Sequence, residues 1–188
     1  MIRRKVLLTL LAALTVTGCA YSPTTVDQSD VDGLAEKIML LGPDVDPEEA
    51  RRAAEISHSY SRQLAREYNV TDLPIFHNNK VHSGERERGL CNHYAEDMTK
   101  RLKQEGFRTL EIQRAISPPT QLRIIHHTAV ITRPGDTIYE GVVVDGWRHG
   151  GNLFFAPTKT DTRYNWRPRD EVLEELLAKE AAKAAREG

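Results

Sequence analysis

Apolar positions recur at helical spacing through the first half of the chain and at alternate positions through much of the second. The best-marked helix starts at Asp46 as N-cap, with Pro47 at its first position and Glu48 and Glu49 in its first turn. Ala53, Ile56, Tyr60 and Leu64 fall on one face of it, which predicts packing on a core as far as Tyr68. A shorter helix is predicted from Asp30 to Leu41, stopped by Gly42-Pro43. The Pro, Asn and Gly content of Asp72 to Gly84, "DLPIFHNNKVHSG", reads as a loop. A further helix places Cys91, Tyr94, Ala95, Met98 and Leu102 on one side and leaves Glu96, Lys100, Arg101 and Lys103 to water, with Gly106 to end it. From Thr109 the period becomes two. Leu110, Ile112 and Ile116 predict one strand, Pro118-Pro119 break it, and Arg123 to Thr132 and Ile138 to Asp145 predict two more around a Pro134-Gly135-Asp136 turn. "RHGGN", Arg148 to Asn152, reads as a turn, and Asp170 caps a last helix whose stripe of Val172, Leu173, Leu176 and Leu177 fades into a solvated tail. Helices followed by an antiparallel sheet make an α+β layout.

Composition narrows the class. The chain has 188 residues, 39% of them hydrophobic and 28% charged, which allows one domain of useful core size and excludes collagen-like, low-complexity and multi-span membrane classes. Its 26 basic residues nearly cancel 27 acidic ones, and no basic stripe is interleaved with aromatics, so nothing points to a nucleic-acid partner. Arg3, Arg4 and Lys5 precede an apolar run from Val6 to Val16, which is shorter than the roughly 20 residues a membrane-spanning helix needs and ends in "VTGCA". Val16-Thr17-Gly18-Cys19 resembles the lipobox of bacterial lipoproteins. That resemblance implies cleavage after residue 18, a lipid on Cys19, a tether over residues 19–30 and a single domain over residues 31–188. Ala20, rather than Asp, after the cysteine implies an outer-membrane lipoprotein facing the periplasm. Losing the leader removes three basic and no acidic side chains, so the mature chain is mildly acidic.

With Cys19 lipidated, Cys91 has no partner within the chain. A cysteine in the first turn of a helix meets unpaired amides and the positive end of the dipole, which favour thiolate over thiol. Such a nucleophile needs a base and a group that orients the base. A hairpin in which His127 faces Asp145, Ala129 faces Val143 and Ile131 faces Gly141 leaves Pro134 to Ile138 as its loop. Directly opposed Cβ atoms lie about 4.5–5.5 Å apart, close enough for imidazole and carboxylate to share a hydrogen bond. A register one residue different brings His126 to Asp145 instead, and periodicity leaves both open.

"GLCNHYA" at a helix start, "HTAVI" on a strand and "VVVDGW" on the next resemble the Cys, His and Asp blocks of the transglutaminase-like, papain-like superfamily. A closer likeness is to bacterial lipoproteins of that superfamily that share "HN" ahead of the cysteine, "RGLC", and "DGWRHGGNL" after the aspartate; it spans roughly residues 72–166. The resemblance implies a papain-like fold, Cys91 as nucleophile, His127 as general base and later acid, and Asp145 as the group that fixes the imidazole. The chemistry implied is attack on an amide of a peptide or protein substrate through a thioester, with water or an amine as acceptor. Peptidoglycan peptides and envelope proteins lie within reach of the tether. The glutamine that papain uses upstream has no counterpart in "SGERERGL", so Asn78 and Asn79 are the candidate oxyanion donors beside the Cys91 amide. Trp147 and Arg148 are candidates for the pocket wall. His77, His82, His93, His126 and His149 have no ligand spacing, and neither metal nor other cofactor is expected. The competing reading is a papain-like domain that has lost turnover and serves as an envelope binding module.

Overall fold

The computed structural model describes residues 27–187. The expected leader, the lipid site at Cys19 and most of the tether lie outside them. Within the described residues the chain is α+β, five helices and a five-stranded antiparallel sheet. Helix α1 is Gln28–Met39 and α2 is Pro47–Glu67, the latter opened by Asp46, whose Oδ1 accepts from the amides of Glu48 and Glu49 as the sequence predicts. Next come α3, Pro74–His82, and α4, Cys91–Lys103. Strands follow at β1, Glu111–Ser117; β2, His126–Thr132; β3, Val142–His149; β4, Asn152–Pro157; and β5, Arg167–Pro168, after which α5 runs Arg169–Glu187. The sheet order is β4-β3-β2-β1-β5.

Helices α1, α2 and α4 cover one face of the sheet. Leu34, Ile38, Ala53 and Ala54 from the first two meet Met98 and Leu102 of α4 over Ile112, Ala129, Ile131 and Val144. Each of these is at most 4% exposed, and a core of this extent is the principal favourable term in folding. Glu49, also buried, ties α2 to the chain entering β1 by accepting from the amides of Arg108 and Thr109 and from the Thr109 hydroxyl. The opposite face carries a smaller cluster of Ala115, Val130, Ile138, Val143 and Trp166. Covered on both sides, β2 and β3 lose the alternation that a half-solvated strand shows.

Several expectations need correction. Residues 72–84 are not a loop: Pro74 opens α3, and the helix is held from outside itself, through His77 Nε2 on the Arg88 carbonyl at 2.9 Å and Asn78 Oδ1 accepting from Trp147 Nε1 at 3.1 Å. The third strand begins at Val142 because Ile138–Glu140 form a 3₁₀ turn capped by the Thr137 hydroxyl. Strands β4 and β5 were not expected; "RHGGN" is the turn between β3 and β4, with Gly150 and Gly151 both at positive φ. Asp170 sits inside the first turn of α5 rather than capping it. None of the described helices is long and apolar enough to cross a membrane.

Candidate active site

The first turn of α4 is built around two local devices. Leu90, at the N-cap, has no side-chain acceptor to offer, and His93, at the third helical position, reaches back with Nδ1 to accept from the amides of Gly89 at 3.1 Å and Leu90 at 3.4 Å. Burial and the nearby Arg88 lower the His93 pKa, which keeps the ring neutral and able to accept. Gly89 stands at φ 123°, and a Cβ there would overlap His77 Nε2. These contacts bring α3 against the start of α4 and place Cys91 at the first helical position, 6% exposed, with its sulfur 3.8 Å from the carbonyl oxygen of Ile125.

The strand register decides which histidine meets Asp145. Strand β2 pairs with β3 as Ala129↔Val144, Val130↔Val143 and Ile131↔Val142. This is one step from the hairpin that opposed His127 to Asp145, and a one-residue slip turns every side chain to the other face. His126 therefore shares a face with Asp145 as a diagonal neighbour, its Nε2 2.7 Å from Asp145 Oδ2. His127 is turned away. The assignment of His127 as Asp145's partner is thus corrected to His126. The cause is the 3₁₀ turn at Ile138–Glu140, which lengthens the connection and shifts the pairing by one.

Asp145 is fully engaged. Besides His126 it accepts from the amides of Trp147 at 3.0 Å and Arg148 at 3.1 Å and from Arg148 Nε at 3.1 Å. Arg148 extends the chain of contacts to Asp161 through 3.1 and 2.7 Å bonds, and Trp166 Nε1 donates to the same carboxylate at 2.9 Å. The side chains of Arg148, Asp145 and Asp161 are buried, so without His126 this group holds one negative charge in excess. A protonated His126 balances it. Burial alone lowers the His126 pKa, but the Asp145 carboxylate, the hydrogen bond to it and the Cys91 sulfur outweigh burial and raise it to about 9. Burial likewise raises the Asp145 pKa, and His126 and Arg148 reverse this to hold the carboxyl below its ordinary range. Three aromatic rings enclose His126: Tyr164 stacked at 4.3 Å, Trp147 at 4.9 Å and Trp166 at 5.5 Å.

Cys91 opens onto a cleft of 410 Å³ whose wall includes Asn78, Leu90, Asn92, Ile124, Ile125 and His127. Indole N–H is a donor only, so the Trp147 contact fixes Oδ1 of Asn78 against the ring and leaves its Nδ2 as a donor. Asn79 is exposed and does not line the cleft. Trp147 and Arg148 do not line it either; both are buried behind the reacting groups, Trp147 bracing Asn78 and His126, and Arg148 bracing Asp145. With Nε2 on Asp145, His126 has Nδ1 free of any nitrogen or oxygen partner and available to sulfur.

Among these residues, Asp161 had no sequence signal: it stands apart from every periodic stretch, and only a buried arginine's need for a second carboxylate points to it. Tyr164 and Trp166 read as ordinary core or rim aromatics. Among the described residues, no cluster of three or more His, Cys, Asp or Glu side chains is arranged to hold a metal ion. The chain matches no family model, no curated protein and no solved structure.

Proposed function

We propose that this chain is a cysteine hydrolase or acyltransferase acting on amide bonds, with Cys91 as nucleophile, His126 as general base and acid, and Asp145 as the group that orients and charges the imidazole. The observation that carries the reading is the His126–Asp145 hydrogen bond of 2.7 Å, buried on both sides, with the Cys91 sulfur interacting with the same ring. A histidine held this way has one nitrogen committed to carboxylate and the other without a hydrogen-bond partner and open to the sulfur, the division of labour that nucleophilic catalysis requires.

The proton path is short. His126, protonated at both nitrogens, holds the proton given up by Cys91, so Sγ attacks the carbonyl carbon as thiolate and the carbonyl electron pair moves to oxygen. That oxyanion meets the Cys91 amide, which as the first N–H of α4 has no intrahelical partner, and Asn78 Nδ2. The tetrahedral intermediate collapses as His126 returns its proton to the departing amine, leaving a thioester on Cys91. Water or a second amine then loses a proton to the now neutral His126 as it attacks the thioester, and the sulfur leaves as thiolate beside the protonated ring. Asp145 keeps its charge throughout.

The same reading takes the fold as papain-like or transglutaminase-like and the chain as a lipoprotein anchored through Cys19, its catalytic part facing the periplasm and its substrate a peptide or protein of the envelope. The α+β order, with the cysteine-bearing helix just ahead of the sheet, supports the first; the sequence at residues 16–19 supports the second. Replacing Cys19 with serine is expected to abolish metabolic lipid labelling and release the protein from membranes, and persistent labelling would refute the anchor.

The catalytic reading is tested by iodoacetamide labelling of Cys91 against pH. Fast labelling below pH 7 is expected, with a loss of roughly a hundredfold at pH 6 in His126→Ala, the low end of what a positioned base supplies. An ordinary thiol profile, midpoint about 8.5 with and without His126, would instead leave the binding-module reading.

A further inference from the structure

We propose that the His127 side of the cleft, backed by the Arg114 guanidinium, is a subsite for a carboxylate of the substrate, next to the sulfur of Cys91. The inference rests on the catalytic reading above and names the substrate class that this site takes: an amide bearing a carboxylate close to the bond attacked.

The placement follows from the register. Strand β1 pairs Ile116 with His127 and Arg114 with Ala129, so Arg114 and His127 are diagonal neighbours on one face of the sheet. Such positions are roughly 7–8 Å apart, within reach of an arginine side chain. The guanidinium also sits against the start of α4, Nη2 donating to the Asn92 carbonyl at 3.4 Å, and Asn92 lines the cleft beside Cys91. His127 Nδ1 and Arg114 Nε are sealed from solvent with no hydrogen-bond partner. The nitrogen of His127 available to a bound molecule is therefore Nε2, on a ring that forms part of the cleft wall.

The charge around His127 has one sign. Burial, then Arg114, His126 and Arg169, lower its pKa to about 4, and none of the groups acting on it is a carboxylate. Glu96 and Asp170 act on Arg114, where burial and Arg169 oppose them. The ring is thus neutral at physiological pH and lies in a positive field. A neutral imidazole among cations turns its lone pair toward them and its N–H away, here Nε2–H into the cleft. The rest of the wall mixes apolar Leu90, Ile124 and Ile125 with polar Asn78, His82 and Asn92, and a donor on a wall partly shielded from water binds an anionic oxygen more strongly than it would in bulk water.

Two reagents differing only in charge test this in the full chain carrying Cys19→Ser, which leaves Cys91 as the one thiol. N-iodoacetylglycine and N-iodoacetylglycinamide both form a sulfur–carbon bond with loss of iodide. Their rate ratio, acid over amide, is expected to exceed that of free cysteine in the same buffer by roughly tenfold, the worth of one charge-assisted hydrogen bond. The ratio should fall toward the free-cysteine value in Arg114→Met and in His127→Leu. A wild-type ratio equal to that of free cysteine overturns the subsite, as does a high ratio that neither substitution changes, which would assign the preference to His126. A second readout is independent of sulfur chemistry: N-acetylglycine should raise the His127 pKa, followed by imidazole NMR, in a saturable way that N-acetylglycinamide does not. Equal effects of the two would also overturn it. Failure of the catalytic reading would appear separately, as an ordinary thiol profile with iodoacetamide.

Discussion

His126 and His127 are joined by one peptide bond, yet they occupy two chemically opposed regions. His126 faces Asp145 inside a ring of aromatics, 1% exposed, and its pKa rises to about 9; His127 faces the cleft and Arg114, and its pKa falls to about 4. Burial pushes both the same way. The difference lies in the sign of the neighbouring charge, and it shows that within a sheet the choice of face, set by register alone, can fix whether a titratable group works as a charged or a neutral species.

The largest effect expected from breaking this contrast is on the charge balance behind His126. Asp145→Ala leaves Arg148 and His126 buried with a single carboxylate, and should cost about 3–5 kcal/mol in urea unfolding at pH 7. No comparable loss is expected from removing His127.

The pH dependence of stability should divide the two rings. The folded-state pKa of His126 is raised, so its contribution is complete below the ordinary value of about 6.5 and is lost as pH rises from there through about 9. That of His127 is depressed, so its contribution is complete above about 6.5 and is lost as pH falls toward about 4. Unfolding midpoints between pH 4 and 10 are therefore expected to show a destabilising acid limb that His127→Gln flattens and a destabilising alkaline limb that His126→Gln flattens. The reverse assignment would contradict the register.

Gly89→Ala adds a methyl group against His77 at a positive φ, and should cost about 2 kcal/mol while slowing Cys91 labelling by displacing the start of α4. The two asparagines divide, and the smallest effect belongs to Asn79. Asn79→Ala, at an exposed position, is expected to change stability by less than about 0.5 kcal/mol and leave turnover intact. Asn78→Ala, under the proposed mechanism, loses roughly a hundredfold in kcat.

Where local chemistry dictated structure, the sequence was legible. Asp46-Pro47 fixes one end of α2, and the spacing of Cys91, Tyr94, Met98 and Leu102 fixes the inward face of α4; all four of those residues are buried. Helix α3 is not legible locally because its support comes from Arg88 and Trp147, outside the stretch whose proline and asparagines resemble a loop. Strand β4 was hidden by two glycines and by partial burial along its whole length, which leaves no alternation to detect. The histidine partner of Asp145 depended on a single 3₁₀ turn. Neither periodicity nor turn composition distinguishes a loop that ends at Ile138 from one that continues to Gly141, and the face shown by every residue of β2 turns on that difference.

The aromatic enclosure of His126 has a practical consequence. The chain contains two tryptophans, Trp147 and Trp166, and both pack against this one imidazole. Imidazolium quenches indole emission more than neutral imidazole does, so intrinsic fluorescence becomes a built-in reporter of the proton that the proposed chemistry moves, readable in unlabelled protein.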